Sequence, residues 1–297
     1  RIRSRGLGDV YKRQVSNSGS KFIFVGHNPQ WGGNNDKLPV NRLHNIMDNL
    51  PELEHVIMME GEQMMDHPKA MSWNDFISKG EKLNSDEISK RISGIDKGST
   101  ASIIYTSGTT GRPKGCILSH EYELMCGEVY ANIGKPISLS FGKDKILNPL
   151  PSYHINAGIV TFFAAMLTGN SLIQPERFSI SSWWEDINET EATIFHYLGV
   201  IIAVLLSDQS ATKASLGKLR VGFGAGVEPA LHQEFETRFG IPLIECWGMT
   251  EMCRVLYNNE EPRQIHTRAM GRPREDLEVK VVDAVSYTHL TLPTKQP

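Results

Sequence analysis

No window of this chain approaches the roughly 18 consecutive apolar residues that a transmembrane helix needs, so no membrane span is expected. The opening residues RIRSRGLGDVYKRQ are basic but lack an apolar core, which excludes a secretory signal. Cysteine is scarce, 4 in 297 residues, and Cys116, Cys126, Cys246 and Cys253 show no CxxC spacing. That density excludes a disulfide scaffold and points to reduced, buried thiols in a cytoplasmic setting. An excess of positive charge is lacking too. The formal net charge is −3, and the basic residues crowded into the first 14 positions leave the remainder more acidic still. Nothing electrostatic therefore favours a nucleic acid or an anionic membrane as partner. Internal repeats and low-complexity tracts are also missing.

The two ends share an unusual relationship. Asp9–Gln14 (DVYKRQ) can be encoded by GAT GTG TAT AAG AGA CAG, and the reverse complement, read in another frame, encodes Val285–His289 and permits Leu290 (VSYTHL). Both ends are thus compatible with one short DNA read from opposite strands, similar to the transposon end used in sequencing-library adapters. Residues 1–14 and 285–297 are read as adapter-derived, and 15–284 as the native segment.

What is present is concentrated at Tyr105–Gly115, YTSGTTGRPKG, where glycine, hydroxyl residues and one lysine fill a short loop. Gly108 and Gly111 let backbone N–H groups approach an anion, Thr106, Ser107, Thr109 and Thr110 add hydroxyl donors, and Lys114 supplies a point charge. The Walker A pattern fits badly, because Pro113 stands where its second glycine belongs and Gly115 where its Ser or Thr would bind magnesium. The apolar run Ala101–Tyr105 predicts a strand leading into the loop.

Elsewhere strand-like and helix-like segments alternate. Strands are expected at 21–25, 55–59, 145–150, 171–174, 193–196, 219–223 and 243–246. Helices are expected at 40–50, 71–80, 119–130, 159–168, 183–190, 200–206 and 229–239, with 81–99 a polar surface stretch. Such alternation predicts an α/β fold with wound parallel sheets and ligands at the strands' C-terminal ends. Two segments fall at such ends. Gly222–Pro229 (GFGAGVEP) lets backbone lie close to a flat ligand, although G-x-G also serves tight strand-to-helix turns. Glu245–Glu251 (ECWGMTE) offers Trp247 to stack on a base, Thr250 to contact phosphate and Glu251 as a hard oxygen ligand for Mg²⁺, or else a helix start capped at Thr250.

In order and spacing, these three segments resemble the signatures of the AMP-forming adenylating superfamily: acyl-CoA synthetases, luciferases and peptide-synthetase adenylation domains. That resemblance implies the large N-terminal domain of the adenylate-forming fold, here incomplete, with the small C-terminal domain absent and residues 15–284 forming a partial AMP-binding domain. It implies that Thr106 to Gly111 with Lys114 hold ATP phosphates, and that Gly224, Ala225 and Gly226 lie beside adenine. Glu245, Cys246, Trp247, Gly248, Met249 and Thr250 complete the nucleotide site, and Glu251 holds Mg²⁺. Trp247 replaces the family's usual Tyr and keeps an aromatic face. Gly271–Pro273 looks like the family's G-R-P motif.

At Pro149–Ala157 (PLPSYHINA), peptide-synthetase domains usually carry Phe-Asp, whose carboxylate binds an α-ammonium; Tyr153-His154 provides no acid there. Acyl- and aryl-CoA ligases commonly place an aromatic before His, which implies that His154 lines or gates the acyl pocket. Lys114, His154, Thr250 and Glu251 are the expected catalytic set, with ATP, Mg²⁺ and coenzyme A as cofactors and a small carboxylic acid as substrate. FHYLGV, GAGVEP and WGMTE look like the crotonobetaine/carnitine-CoA ligase branch. A nucleotide-binding module without chemistry and a peptide-synthetase-type domain are the alternatives, and the oligomeric state stays open.

Overall fold

The computed structural model describes residues 7–26, 43–44, 46–59, 64–106 and 113–283. The chain divides into two compact units, Arg1–His120 and Glu121–Pro297.

In the first unit, strands β1 (Phe22–Val25), β2 (His55–Met58) and β3 (Ala70–Ser72) form a parallel sheet in that order. Val25, Met47, Leu50, Leu53, Val56 and Met58 bury its core. Helix Trp73–Gly80 begins where the Ser72 hydroxyl accepts the Asp75 N–H at 3.1 Å. The stretch expected to be polar surface contains a helix, Ser85–Ser93. Asn84 caps it by accepting the Glu87 N–H at 2.8 Å, with Asp86 and Glu87 in its first turn and Lys90 and Arg91 in its last. No residue of this helix is buried: Ile88 and Ile92, one turn apart on one face, both stay exposed.

Strands β4 (Thr100–Thr106) and β5 (Lys114–Ser119) form an antiparallel pair. The segment between Thr106 and Lys114 thus joins two antiparallel strands, whereas a Walker loop joins a strand to a helix. Tyr105 anchors the hairpin to helix Leu7–Ser18, donating from its hydroxyl to Gln14 O at 3.0 Å and Asn17 Oδ1 at 2.9 Å. The residue-14 boundary drawn from the DNA argument falls within this helix.

The second unit is built on β6 (Lys145–Leu147), β7 (Ser171–Ile173), β8 (Ile194–Leu198), β9 (Val221–Ala225), β10 (Leu243–Met249), β11 (Cys253–Tyr257) and β12 (Arg272–Pro273). They lie in the order β7-β6-β8-β9-β10-β11-β12. The span from β7 to β10 is parallel, whereas β10-β11-β12 is antiparallel, so the all-parallel expectation holds only for one part of the sheet. Helices Trp183–Thr190, Gly199–Ser207 and Pro229–Phe239 link the parallel strands. Proline opens the last of them, where its missing N–H costs nothing.

Residues 194–197 of β8 are all buried, the signature of a strand covered on both faces. Around it Phe195, Tyr197, Ile202, Phe235, Phe239 and Leu243 form the core. One ionic cluster pins Pro229–Phe239 to the chain beyond the sheet: Arg263 donates to both Glu236 oxygens at 2.6 and 2.9 Å, and Leu243 N–H adds a third bond at 2.8 Å. Among the described residues no helix is long and apolar enough to cross a membrane. All four cysteines are free.

Candidate functional site

The second unit gathers its site where β9 and β10 end side by side. Gly224 pairs with Glu245 across the two strands. A Cβ on Gly224 would stand 2.2 Å from Tyr197 O, so only glycine lets β8 and β9 approach this closely. Gly226 turns the chain out of β9 with φ +77°, and the space its side chain would occupy is open.

Glu245 fixes that turn. Its Oε2 accepts the Gly226 N–H at 2.8 Å, while Oε1 accepts the Tyr197 hydroxyl at 2.8 Å and the Val227 N–H at 3.4 Å. Burial, then the Glu245 charge, pushes the Tyr197 phenol well above its usual pKa, so it stays a donor. Glu245 thus braces the glycine turn from behind. Sequence reasoning placed Glu245 in the site but had no signal for Tyr197, which reads as one more core aromatic.

β10 carries on through Cys246, Trp247, Gly248 and Met249, with an irregularity in its pairing at Trp247/Gly248 that re-aims the last residues. Trp247 remains 37% exposed, leaving an aromatic surface free to stack. A tight turn rather than a helix follows: Met252 N–H returns to Met249 O at 3.2 Å, and Cys253, the first residue of β11, adopts φ +58°. A non-glycine residue in that region stores strain of a kind that collects at functional turns. Thr250 is buried, and its carbonyl accepts the Tyr122 hydroxyl at 2.7 Å. Glu251 is exposed and has no ion pair among the described residues, so its carboxylate is free for a cation. One carboxylate suits Mg²⁺, which is commonly held by one or two with phosphates and waters completing its shell.

Two cavities flank this strand end. One, about 280 Å³, is lined by Gly226, Glu245, Trp247, Gln264 and Arg268 among others. The second, about 260 Å³, is lined by His154, Asn156, Val160, Thr250 and Arg254 among others. Ala225 and Cys246 line both and form their shared wall. Burial pushes the Cys246 thiol up to about 11, so it stays protonated at neutral pH.

His154 sits just before a six-residue π-helix, Asn156–Thr161, that runs into helix Phe162–Leu167. The expected helix at 159–168 therefore starts earlier and is wound wider at its beginning. Asn148 ties this turn down, donating to Asn156 Oδ1 at 3.0 Å and Thr161 Oγ1 at 2.9 Å. Such π turns recur at functional sites. His154 Nδ1 accepts the Asn156 N–H at 3.3 Å. Although His154 is exposed, desolvation of its ring lowers its pKa, so it is mainly neutral at pH 7.

The structure thus brings Gly224, Ala225, Gly226, Glu245, Cys246, Trp247, Gly248, Met249, Thr250 and His154 to one strand end, with Glu251 on the adjoining turn. Thr106 and Lys114 lie in the first unit, paired across the hairpin mouth. Ser107, Gly108, Thr109, Thr110 and Gly111 lie outside the described residues.

Known proteins resemble this chain in sequence and fold. The AMP-binding enzyme family matches residues 9–288. A sulfoacetate–CoA ligase of Cupriavidus necator is 36% identical over 174 residues, covering 58% of this chain and 33% of the relative. The medium/long-chain-fatty-acid–CoA ligase FadD6 of Mycobacterium tuberculosis is 34% identical over 152 residues, covering 51% and 25%. The chain thus spans a third or less of these relatives. Among solved structures, an anthranilate CoA ligase in complex with anthranoyl-AMP superposes with a TM-score of 0.73 at 20% identity, covering 96% of this chain and 51% of that one. ATP-bound MatB from Rhodopseudomonas palustris superposes with a TM-score of 0.69 at 18% identity, with the same coverage. These two likenesses show the shared fold.

Proposed function

The chain belongs to the AMP-binding enzyme family, and from that premise we propose that it carries the nucleotide- and acid-binding surface of an AMP-forming acid–CoA ligase. The observation that supports this reading is the pair of cavities sharing Ala225 and Cys246 as a wall. A reaction that joins an acid to a nucleotide needs two chambers meeting at one edge. Here one has a glycine turn and an exposed indole, the other a neutral imidazole.

In this reading adenine lies against Gly224–Gly226 and Trp247, and Glu245 keeps the turn in place without touching the base. Thr106, Ser107, Gly108, Thr109, Thr110, Gly111 and Lys114 hold the phosphates, and Thr250 contacts the phosphoryl oxygens. Glu251 would hold Mg²⁺, which when bound offsets negative charge on those oxygens. The acid's carboxylate oxygen attacks the α-phosphorus, the bond to the bridging oxygen breaks, and pyrophosphate leaves. The thiol of coenzyme A then attacks the acyl carbon and AMP departs. Neutral His154 stands beside the acid, where it can donate a hydrogen bond without a competing charge. No protein nucleophile is required.

The crotonobetaine/carnitine branch has no support from the relatives described, whose names cover sulfoacetate and fatty acids. The test is carboxylate-dependent pyrophosphate release by the complete gene product. Glu251→Ala should reduce it by about 100-fold, the scale of losing one charge-stabilising group at a reacting centre. Unchanged release would remove Glu251 from the metal site. A binding module without chemistry would bind ATP yet show no acid-dependent exchange, and a peptide-synthetase domain would load a carrier protein in place of coenzyme A.

A further inference from the structure

Asn258 brings to the first cavity a side-chain donor that the fold leaves unused. The residue is 7% exposed and lines that cavity of about 280 Å³ together with Glu245 and Trp247. Its backbone N–H donates to Glu245 O at 2.9 Å, one step beyond the Cys246–Tyr257 pair of β10 and β11. Residues opposed in this way project to the same face of a sheet, so the Asn258 and Glu245 side chains stand side by side. Asn258 Oδ1 accepts the Gln264 N–H at 3.4 Å, which turns the oxygen end of the amide toward that loop. Nδ2, the other end, donates to no described residue, and unlike the sealed orphan nitrogens of Trp183 and His196 it remains accessible.

The other polar side chains of this lining are engaged or exposed. Glu245 has Oε1 on Tyr197 and Val227 and Oε2 on Gly226, and a carboxylate can only accept. His232 donates from Nε2 to Glu236 Oε1 at 2.9 Å, so the second nitrogen of the neutral ring is an acceptor too. Arg268 pairs with Glu228 at 2.6 Å on the surface, and Gln264 and Thr267 are exposed. A flat base lying against Gly226 and Trp247 therefore meets Asn258 Nδ2 as the buried donor at its edge. The direction of the strand says which edge. Thr250, read as the phosphate contact, follows the last residue of β10, whereas Asn258 lies opposite Glu245, further back along the same strand. A nucleotide with its phosphates at Thr250 turns toward Asn258 the base edge farthest from its sugar. In adenine that edge carries N1, an acceptor, beside the N6 amine.

Resting on the acid–CoA ligase reading, in which adenine lies beside Gly224–Gly226, we infer that Asn258 selects the base by donating from Nδ2 to adenine N1. Asn258 is then a specificity-determining residue outside the sequence motifs. A site built to hydrogen-bond one ligand rejects an analogue that leaves its buried polar group unpaired. Hypoxanthine and guanine carry a hydrogen on N1, so in ITP and GTP the amide would face a second donor.

The experiment compares ATP with 1-deaza-ATP, in which C–H replaces N1, and with 7-deaza-ATP as the control, in acid-dependent pyrophosphate exchange by the complete gene product over a panel of carboxylic acids. In the wild type 1-deaza-ATP should raise KM by about 10-fold with kcat kept, the pattern of lost uniform binding. The 7-deaza analogue should behave as ATP does. Asn258→Asp keeps an oxygen for the Gln264 N–H and replaces the donor by an acceptor, so a purely structural role would leave the nucleotide preference as it was. In that variant the 1-deaza penalty should vanish and the preference for ATP over ITP should fall by about 10-fold. Asn258→Ser, whose shorter side chain stops short of the base, should lose the penalty as well. Equal KM for ATP and 1-deaza-ATP in the wild type, a comparison that needs no variant, overturns the inference and leaves the ligase reading standing. A penalty that survives Asn258→Asp overturns the role of Asn258. If no acid supports exchange, the ligase reading falls, and the same nucleotides are compared by competitive binding, where equal affinities overturn the base contact too.

Discussion

Removing the Glu245 carboxylate tests whether the glycine turn is held from behind. In Glu245→Ala, two short hydrogen bonds to a charged acceptor disappear, from Tyr197 and Gly226, each at 2.8 Å. Hydrogen bonds to charged groups contribute about 1.5–3 kcal/mol each, and a fully buried hydroxyl left without a partner costs about 1–3 kcal/mol. Tyr197 is fully buried, so its orphaned hydroxyl brings the loss to about 3–5 kcal/mol. In thermal unfolding each kcal/mol lowers Tm by roughly 2–4 °C for a domain of this size.

A single variant would confound this bond with lost packing. The double-mutant cycle with Tyr197→Phe isolates it, and a coupling energy of about 1.5–3 kcal/mol is expected from urea unfolding followed by tryptophan fluorescence. Glu245→Gln should lose only about 2 kcal/mol, because the Tyr197 hydroxyl can rotate to accept from the amide while the amide oxygen takes the Gly226 N–H. If the two substitutions add within about 0.5 kcal/mol, Tyr197 and Glu245 do not act as a unit and the brace is disproved.

Gly224→Ala forces a methyl group to within 2.2 Å of Tyr197 O, a backbone atom that cannot swing aside. It should destabilise by about 1–3 kcal/mol and raise the KM for ATP; unchanged Tm and KM would contradict the close strand approach. Acid stability should depend on Glu236. Burial alone would raise its pKa, but hydrogen bonds from His232, Arg263 and Leu243 N–H hold it down at about 2, against an ordinary 4.5. A depressed carboxylate pKa stabilises fully above the unfolded value and is lost as pH falls through the folded one. The loss should therefore run from about pH 4.5 to about pH 2 and amount to about 3 kcal/mol. Arg263→Met should flatten that part of the stability profile, and an unaltered profile would remove Arg263 from the cluster's pH response.

The parallel half of the main sheet was legible because its strands are short apolar runs separated by helices, one of which, Pro229–Phe239, is marked by proline at its start. The antiparallel half was not. Cys253–Tyr257 is nearly all buried, which erases the alternation by which an antiparallel strand is ordinarily known. Arg254 inside that strand was the overlooked clue, since a charge in an otherwise buried run asks for a partner. Lys114–Ser119 escaped as a strand because the loop motif claimed its first residues. In the site, the motif residues were visible as contiguous strings. Tyr122, Tyr197 and Arg254, which hold or charge those strings, come from other segments or sit just past the motif, where only three-dimensional packing joins them.

The wall shared by Ala225 and Cys246 constrains how such a protein can diversify. A side chain that borders both chambers cannot grow toward one occupant without intruding on the other, so variation there couples the choice of acid to the grip on nucleotide. Val160 and Leu198 border the second chamber only. They are the positions at which a lineage, or an engineer, could reshape the acid chamber while the nucleotide chamber stays as it is.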